Sequence, residues 1–283
     1  MDGAGTNATG TATGAMAGRH FPATIGSFDA PGERARIDGL VRWVEERYAD
    51  DLRQRPSKHV YVSALPEEVR ARIDALRDSP AILDAMAARV PAGARIVAMK
   101  HTDELYISHY NKDRGGDQGL FDRHYDGNLR FLDSSLVVRA LIYLQSDASY
   151  KVVFGDSRVE RAFASYEFGL LDFHRELHWV EGEYRPGDRQ RILLKCNYLV
   201  ALPGAPVAAR AAMAANTAVF YVVKAAMEYS KSPRSPAQKA VGYVCNLFRR
   251  LNIVHPALPL ALVAIALAGI GAMAWRAIAA LSS

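Results

Sequence analysis

The chain has 283 residues, half of them hydrophobic, and a formal net charge of +5. That supports one good core with an accessory helical piece and excludes several separate domains. Two cysteines, Cys196 and Cys245, exclude a disulfide framework; each sits in an apolar run, where a free thiol behaves as a small hydrophobe, so a reducing compartment is the simpler expectation.

Residues 1–26 are rich in Gly, Ala and Thr with almost no charge, and so cannot bury enough apolar surface to offset the entropy of ordering. They are expected to form a disordered tail, and no basic stretch precedes a compact apolar run that would make a secretory signal. The folded part is expected over 27–203. It opens with a helix, since Asp29 can cap, Pro31 suits a first turn, and Ile37, Leu40, Val41, Val44 and Tyr48 recur on one face. A second helix is expected at 66–76 with Val69, Ile73 and Leu76 inward, and a third from Ser79-Pro80 until Pro91-Ala92-Gly93 breaks it. These helices are expected to pack outside a sheet.

Periodicity changes after Ala94. Short β-like runs follow at 95–99, 105–110, 136–144, 150–154, 159–164, 169–173 and 191–200, separated by turn residues. Many short strands without intervening helices favour an antiparallel sandwich or jelly roll over a doubly wound sheet.

Beyond Leu202-Pro203-Gly204 the region 204–256 is expected to be helical, with a basic, solvated linker near 231–236. The last segment, 257–278, is different. No Asp, Glu, Lys or Arg lies between Arg250 and Arg276, and the apolar run is about the ~20 residues that span a bilayer. Lys224, Lys231, Arg234, Lys239, Arg249 and Arg250 precede it and only Arg276 follows, so the positive-inside rule places the N-terminal part in the cytosol. The expectation is a single-pass protein anchored through its C-terminal helix. The excess positive charge is then the basic flank of that anchor rather than a nucleic-acid footprint.

The residues that carry chemistry lie between 110 and 198. A ferrous centre that activates oxygen needs three protein ligands on one face, and two imidazoles with one carboxylate supply that arrangement. His124 and Asp126 are spaced i, i+2, which puts both side chains on one side of a strand. The third ligand is sought in Gly169-Leu170-Leu171-Asp172-Phe173-His174-Arg175-Glu176-Leu177-His178, where His178 follows a buried strand and His174 competes with it. Glu176 and Glu181 need not be catalytic. Downstream, Arg189 and Arg191 project to the same face of one strand, and a guanidinium aimed into a barrel needs an anion, for which a planar fork suits a carboxylate.

Residues 105–199, about a third of the chain, resemble the catalytic domain of the Fe(II)- and 2-oxoglutarate-dependent dioxygenases, and within them most the prolyl 4-hydroxylase group. The likeness is carried by Ile107-Ser108-His109-Tyr110, His124-Tyr125-Asp126-Gly127, Ala140-Leu141-Ile142-Tyr143-Leu144-Gln145, the 169–178 segment and Gly187-Asp188-Arg189, in the family's order. It implies a mainly β double-stranded β-helix with flanking helices, in which His124, Asp126 and His178 hold Fe(II). Tyr143, with Arg189 or Arg191, would bind 2-oxoglutarate, and Tyr110 would line the same pocket. The implied chemistry turns 2-oxoglutarate and O2 into succinate and CO2 while hydroxylating a protein side chain, peptidyl proline first, with ascorbate as an accessory reductant.

The departures bear on substrate. The stretch 148–153, Ala-Ser-Tyr-Lys-Val-Val, lacks the Gly-Gly pair and Thr usual in the relatives, and Arg114-Gly115-Gly116-Asp117 inserts a Gly-rich segment at the mouth. Both weaken the assignment to proline and leave the cofactor assignment standing. The competing expectations are an oxidative nucleic-acid demethylase of the same superfamily, or a tail-anchored binding module without turnover.

Overall fold

The computed structural model describes residues 20–54, 57–108, 122–127, 135–182, 189–201, 203–204, 206–230, 234–255 and 258. Its strands are β1 (Thr24–Ser27), β2 (Ser57–Tyr61), β3 (Arg95–Ala98), β4 (Glu104–Ser108), β5 (Ser135–Gln145), β6 (Asp147–Phe154), β7 (Val159–Ala164), β8 (Glu167–Asp172), β9 (His178–Gly182) and β10 (Arg191–Ala201). Among the described residues the larger sheet has seven strands, ordered β1-β8-β5-β10-β4-β2 with β3 also paired to β10, and the smaller has three, ordered β7-β6-β9. The paired strands run antiparallel.

From β4 onward the chain alternates between the sheets. It leaves the large sheet at β4, touches the small one where His124 bridges His178, returns in β5, crosses to β6 and β7, returns in β8, crosses to β9 and finishes in β10. This alternation of antiparallel strands between two sheets is compatible with the jelly roll expected from the run of strands.

Side-chain alternation explains why the central strands read as nearly continuous apolar runs. On β10, Ile192, Leu194, Cys196, Tyr198 and Val200 face one core, and Leu193 faces the other. The first core is closed by α1 (Pro31–Gln54), α2 (Glu67–Arg77) and α3 (Pro80–Ala87), whose inward residues include Ile37, Leu40, Val44, Val69, Ile73, Leu76 and Ile82. Ser79 caps α3, its Oγ accepting from the Ala81 amide at 3.1 Å. The second core lies between the sheets around Tyr106, Leu141, Tyr143, Phe154, Phe163 and Leu171.

The inner face of the large sheet is thus covered by the small sheet over Leu141 and Tyr143, and further along by α4 (Pro206–Ser230), whose Ala209 and Ala212 pack on Val137 and Leu199. Arg139 falls between these two covers. A last helix, α5 (Pro236–Val254), begins with a capping box formed by Ser235 and Gln238 and packs against α4.

Two expectations change, and one falls outside the described residues. Within the segment expected as a disordered tail, residues 20–26 are built into the fold: β1 pairs with β8, and Phe21 is wholly buried. The compositional reading failed because one buried aromatic and a sheet edge suffice to order a stretch of small residues. Gly26 is required there, since a Cβ would lie 2.3 Å from the Phe168 ring. Strands β2 and β9 were not anticipated, both being short and rich in polar residues. No helix among the described residues is long and apolar enough to cross a membrane, and the anchor expected at 257–278 lies outside the described residues except for Leu258.

Phe21→Ala is expected to cost about 3–5 kcal/mol of stability. Urea denaturation should show a lower midpoint at unchanged slope; a loss under about 1 kcal/mol would mean that the segment before β1 is dispensable.

Candidate metal centre

The site starts from a backbone contact. The His124 amide donates to the His178 carbonyl and the His178 amide to the His124 carbonyl, both at 3.0 Å. This reciprocal pair sets the imidazoles side by side, with ring centroids 4.4 Å apart. Each ring is oriented from behind: Nδ1 of His124 donates to the Asp122 carbonyl at 2.8 Å, and Nδ1 of His178 to the Glu176 carbonyl at 3.1 Å. A carbonyl only accepts, so in both rings Nδ1 carries a proton and Nε2 is the nitrogen that faces forward.

Asp126 closes the group, with Oδ1 at 3.7 Å from His124 Nε2 and Oδ2 at 3.5 Å from His178 Nε2. One donor atom from each of the three lies within 4.8 Å of the others, close enough to hold one metal ion. Two imidazoles and one carboxylate on one side match the donor set of a non-haem ferrous centre with open positions opposite.

The carboxylate is ionised against the odds. Burial alone would push the Asp126 carboxyl up, but the Arg139 guanidinium, then His178 and His124, hold it well below the usual carboxylate range. Arg139 Nη1 sits 2.7 Å from Asp126 Oδ2. Along the same inner face Lys195 pairs with Glu104 at 3.5 Å, and Glu104 also bonds His59. Burial pushes Glu104 up, yet Lys195 and His59 bring it down to about 2.

Gly127, next to the carboxylate, is a position of close approach, since a Cβ there would stand 1.9 Å from Nδ1 of His174. Its amide donates to the Phe173 carbonyl at 2.7 Å and its carbonyl accepts from Asn252 Nδ2 of α5 at 3.2 Å. His174, the competing third ligand, stands behind this turn with Nε2 bonded to Asn216 Oδ1 of α4 at 2.7 Å. Burial lowers its pKa to about 4, so it is a neutral packing residue. Asn252 of α5 thus bonds the turn itself, and Asn216 of α4 bonds the histidine behind it.

The two arginines part company. Arg189 is largely exposed and grips Asp147, its amide and Nε each donating at 2.7 Å, so it faces away from the triad. Arg191 is buried, with its guanidinium carbon 5.7, 5.7 and 5.2 Å from the ring centroids of Tyr106, Tyr143 and Tyr150. Tyr143 is thus beside Arg191, stacked on Phe163; Tyr110 lies outside the described residues. Glu176 is fully buried rather than solvated, accepting from His20, Ser157 and the Asp156 amide and so fixing the turn that leads to His178.

Sequence reasoning missed Arg139, Glu104, Asn216 and Asn252, and passed over Lys195. For Arg139 and Lys195 a signal existed: Arg139 is the single charge of β5 and Lys195 is a charge in the middle of β10, each flanked by mostly apolar residues, and such a charge is almost never buried without a partner. Beside the turn a cleft of about 420 Å³ is lined by Asp122, Arg123, Asn246, Arg250 and Ile253. Arg123 lies over the Trp179 ring at 4.4 Å.

No family model matches the chain, and no curated protein matches its sequence. Solved structures similar to it include AviO1 from Streptomyces viridochromogenes Tue57, at 15% identity and a TM-score of 0.45, covering 66% of this chain and 93% of that one. Prolyl 4-hydroxylase from Phytophthora capsici is 18% identical at a TM-score of 0.42, covering 82% and 70%, and a Pseudomonas putida prolyl-4-hydroxylase is 15% identical at 0.37, covering 64% and 93%.

The buried neutral His174 gives a pH signature. Its folded pKa lies below the ordinary 6.5, so the stability it contributes is complete above 6.5 and is lost as pH falls toward about 4, by up to about 3 kcal/mol. Compared with His174→Gln, the wild type should lose denaturation free energy over that window; parallel pH profiles would show that His174 is protonated in the folded state.

Proposed function

We propose that this chain is an Fe(II)- and 2-oxoglutarate-dependent oxygenase that hydroxylates a protein side chain, with peptidyl proline as the substrate to test first. The observation that carries this reading is the convergence of His124, Asp126 and His178 on one face, inside a jelly roll whose inner face also buries a guanidinium. Bound Fe(II), 2-oxoglutarate and O2 together supply oxidative decarboxylation coupled to C–H hydroxylation, with succinate and CO2 as co-products.

The chain's part is to hold and exclude. His124 and His178 offer Nε2 because their Nδ1 protons are committed to carbonyls, and Asp126 offers a carboxylate that stays ionised. Arg191 is the group we assign to the distal carboxylate of 2-oxoglutarate. Its fork suits a carboxylate, and the rings of Tyr106, Tyr143 and Tyr150 keep water from the guanidinium and strengthen the pairing. Arg189 is set aside because Asp147 already holds it at the surface. No side-chain acid or base is needed at the carbon that reacts.

The test is an anaerobic titration of the full chain with Fe(II) and 2-oxoglutarate, followed by the visible metal-to-ligand charge-transfer band. The band should form, vanish in His178→Ala, need on the order of 100-fold more 2-oxoglutarate in Arg191→Leu, and persist in Arg189→Ala. A folded protein that gives no band would overturn the reading. Mass spectrometry of proline-containing peptides for gain of one oxygen atom then decides the substrate.

A further inference from the structure

We infer that Arg139 is a positioning residue for the metal centre: its fork, anchored on Asn197, holds Asp126 Oδ2 and leaves Oδ1 as the atom that Asp126 turns toward a metal. The inference rests on the metal reading above and adds a residue that the triad alone does not call for.

Four observations carry it. Arg139 lies on β5, a strand that supplies no ligand, yet its Nη1 is 2.7 Å from Asp126 Oδ2. The other side of the fork is fixed, since Nε donates to Asn197 Oδ1 at 2.9 Å, and Asn197 is held in turn because its Nδ2 donates to Thr102 Oγ1 at 2.9 Å. The guanidinium carbon lies 4.3 Å from the Phe173 ring centroid, which supports the plane of the fork from one side. Arg139 and Asn197 are both buried and are paired in register across β5 and β10, so the bridge is built into the sheet.

A guanidinium so placed restricts the carboxylate. Both oxygens face the imidazoles, Oδ1 at 3.7 Å from His124 Nε2 and Oδ2 at 3.5 Å from His178 Nε2, but Oδ2 is also engaged by the guanidinium, so chelation through both is disfavoured and Oδ1 is the one left for single-point ligation. Such ligation leaves more of the metal's positions for co-substrates than a chelating carboxylate does. The fork matters as well as the charge: a lysine has no planar fork with which to reach Asn197 and Asp126 at once.

The experiment uses the full chain and Co(II) alone, which reports coordination through its d–d absorption without turnover. Wild type, Arg139→Met and Arg139→Lys are titrated with Co(II), and far-ultraviolet circular dichroism checks folding. We expect Arg139→Met to bind 10- to 100-fold more weakly, with a changed d–d envelope, and Arg139→Lys to fall between it and the wild type. A role confined to stability would lower the melting temperature and leave affinity and envelope alone, and that result in folded Arg139→Met overturns the inference. Should the methionine protein not fold, the lysine protein decides by the same two readouts, and wild-type values there overturn it. A wild-type chain that takes up no Co(II) would remove the metal reading itself, an outcome distinct from equal binding by all three proteins.

Discussion

The reciprocal hydrogen bonds between the backbones of His124 and His178 are the constraint on which the candidate metal centre depends. Nothing in two imidazoles by themselves keeps them side by side, and here the backbone does so before any ion is considered. The bridge exists because two of the chain's visits to the small sheet, at 122–127 and at β9, meet there. The turns that precede each histidine, through the carbonyls of Asp122 and Glu176, then choose the tautomer.

A second requirement is electrical. The strip of inner face between the small sheet and α4 carries Arg139 and, on the same face of β10, Lys195 and Asn197; isolated charges there would be costly to bury. Each is matched: Arg139 with Asp126, Lys195 with Glu104, Asn197 with Arg139 and Thr102. The matching continues outward, because the Asn197 amide donates to Asp103, and Asp103 pairs with Arg77, which is wholly buried at the end of α2. Removing one member leaves its partner charged and dry, which costs far more than the pair contributes. A continuous polar seam therefore runs from the outer helices to the metal turn.

Much of this was legible in the sequence where a pattern repeats or a residue type is unusual. The face of α2 formed by Val69, Ile73 and Leu76, the succession of strands after Ala94, and the His-x-Asp spacing all follow from local periodicity. Strand β1 was not legible, since four residues give too little alternation and its order derives from Phe168 across the sheet. The choice between Arg189 and Arg191 was not legible either. Both occupy the same face of an ideal strand, but β10 begins only at Arg191, so Arg189 precedes the ladder and turns to Asp147. His178 was preferred to His174 from the sequence itself, but what occupies His174 was not legible, because its partner Asn216 comes from α4, remote in sequence, and no local pattern announces it.

Gly127 lacks a side chain and is located through its two backbone groups, one bonded to Phe173 of the jelly roll and the other to Asn252 of α5. The residue beside the carboxylate is thus strung between two parts of the chain. Insertions, deletions or strain in the connection from α4 to α5 act on the geometry of Asp126 although they touch none of the three candidate ligands. The helices after the jelly roll are in this sense part of the centre's tuning, and homologous exchange of that region would change the metal turn along with the surface it presents.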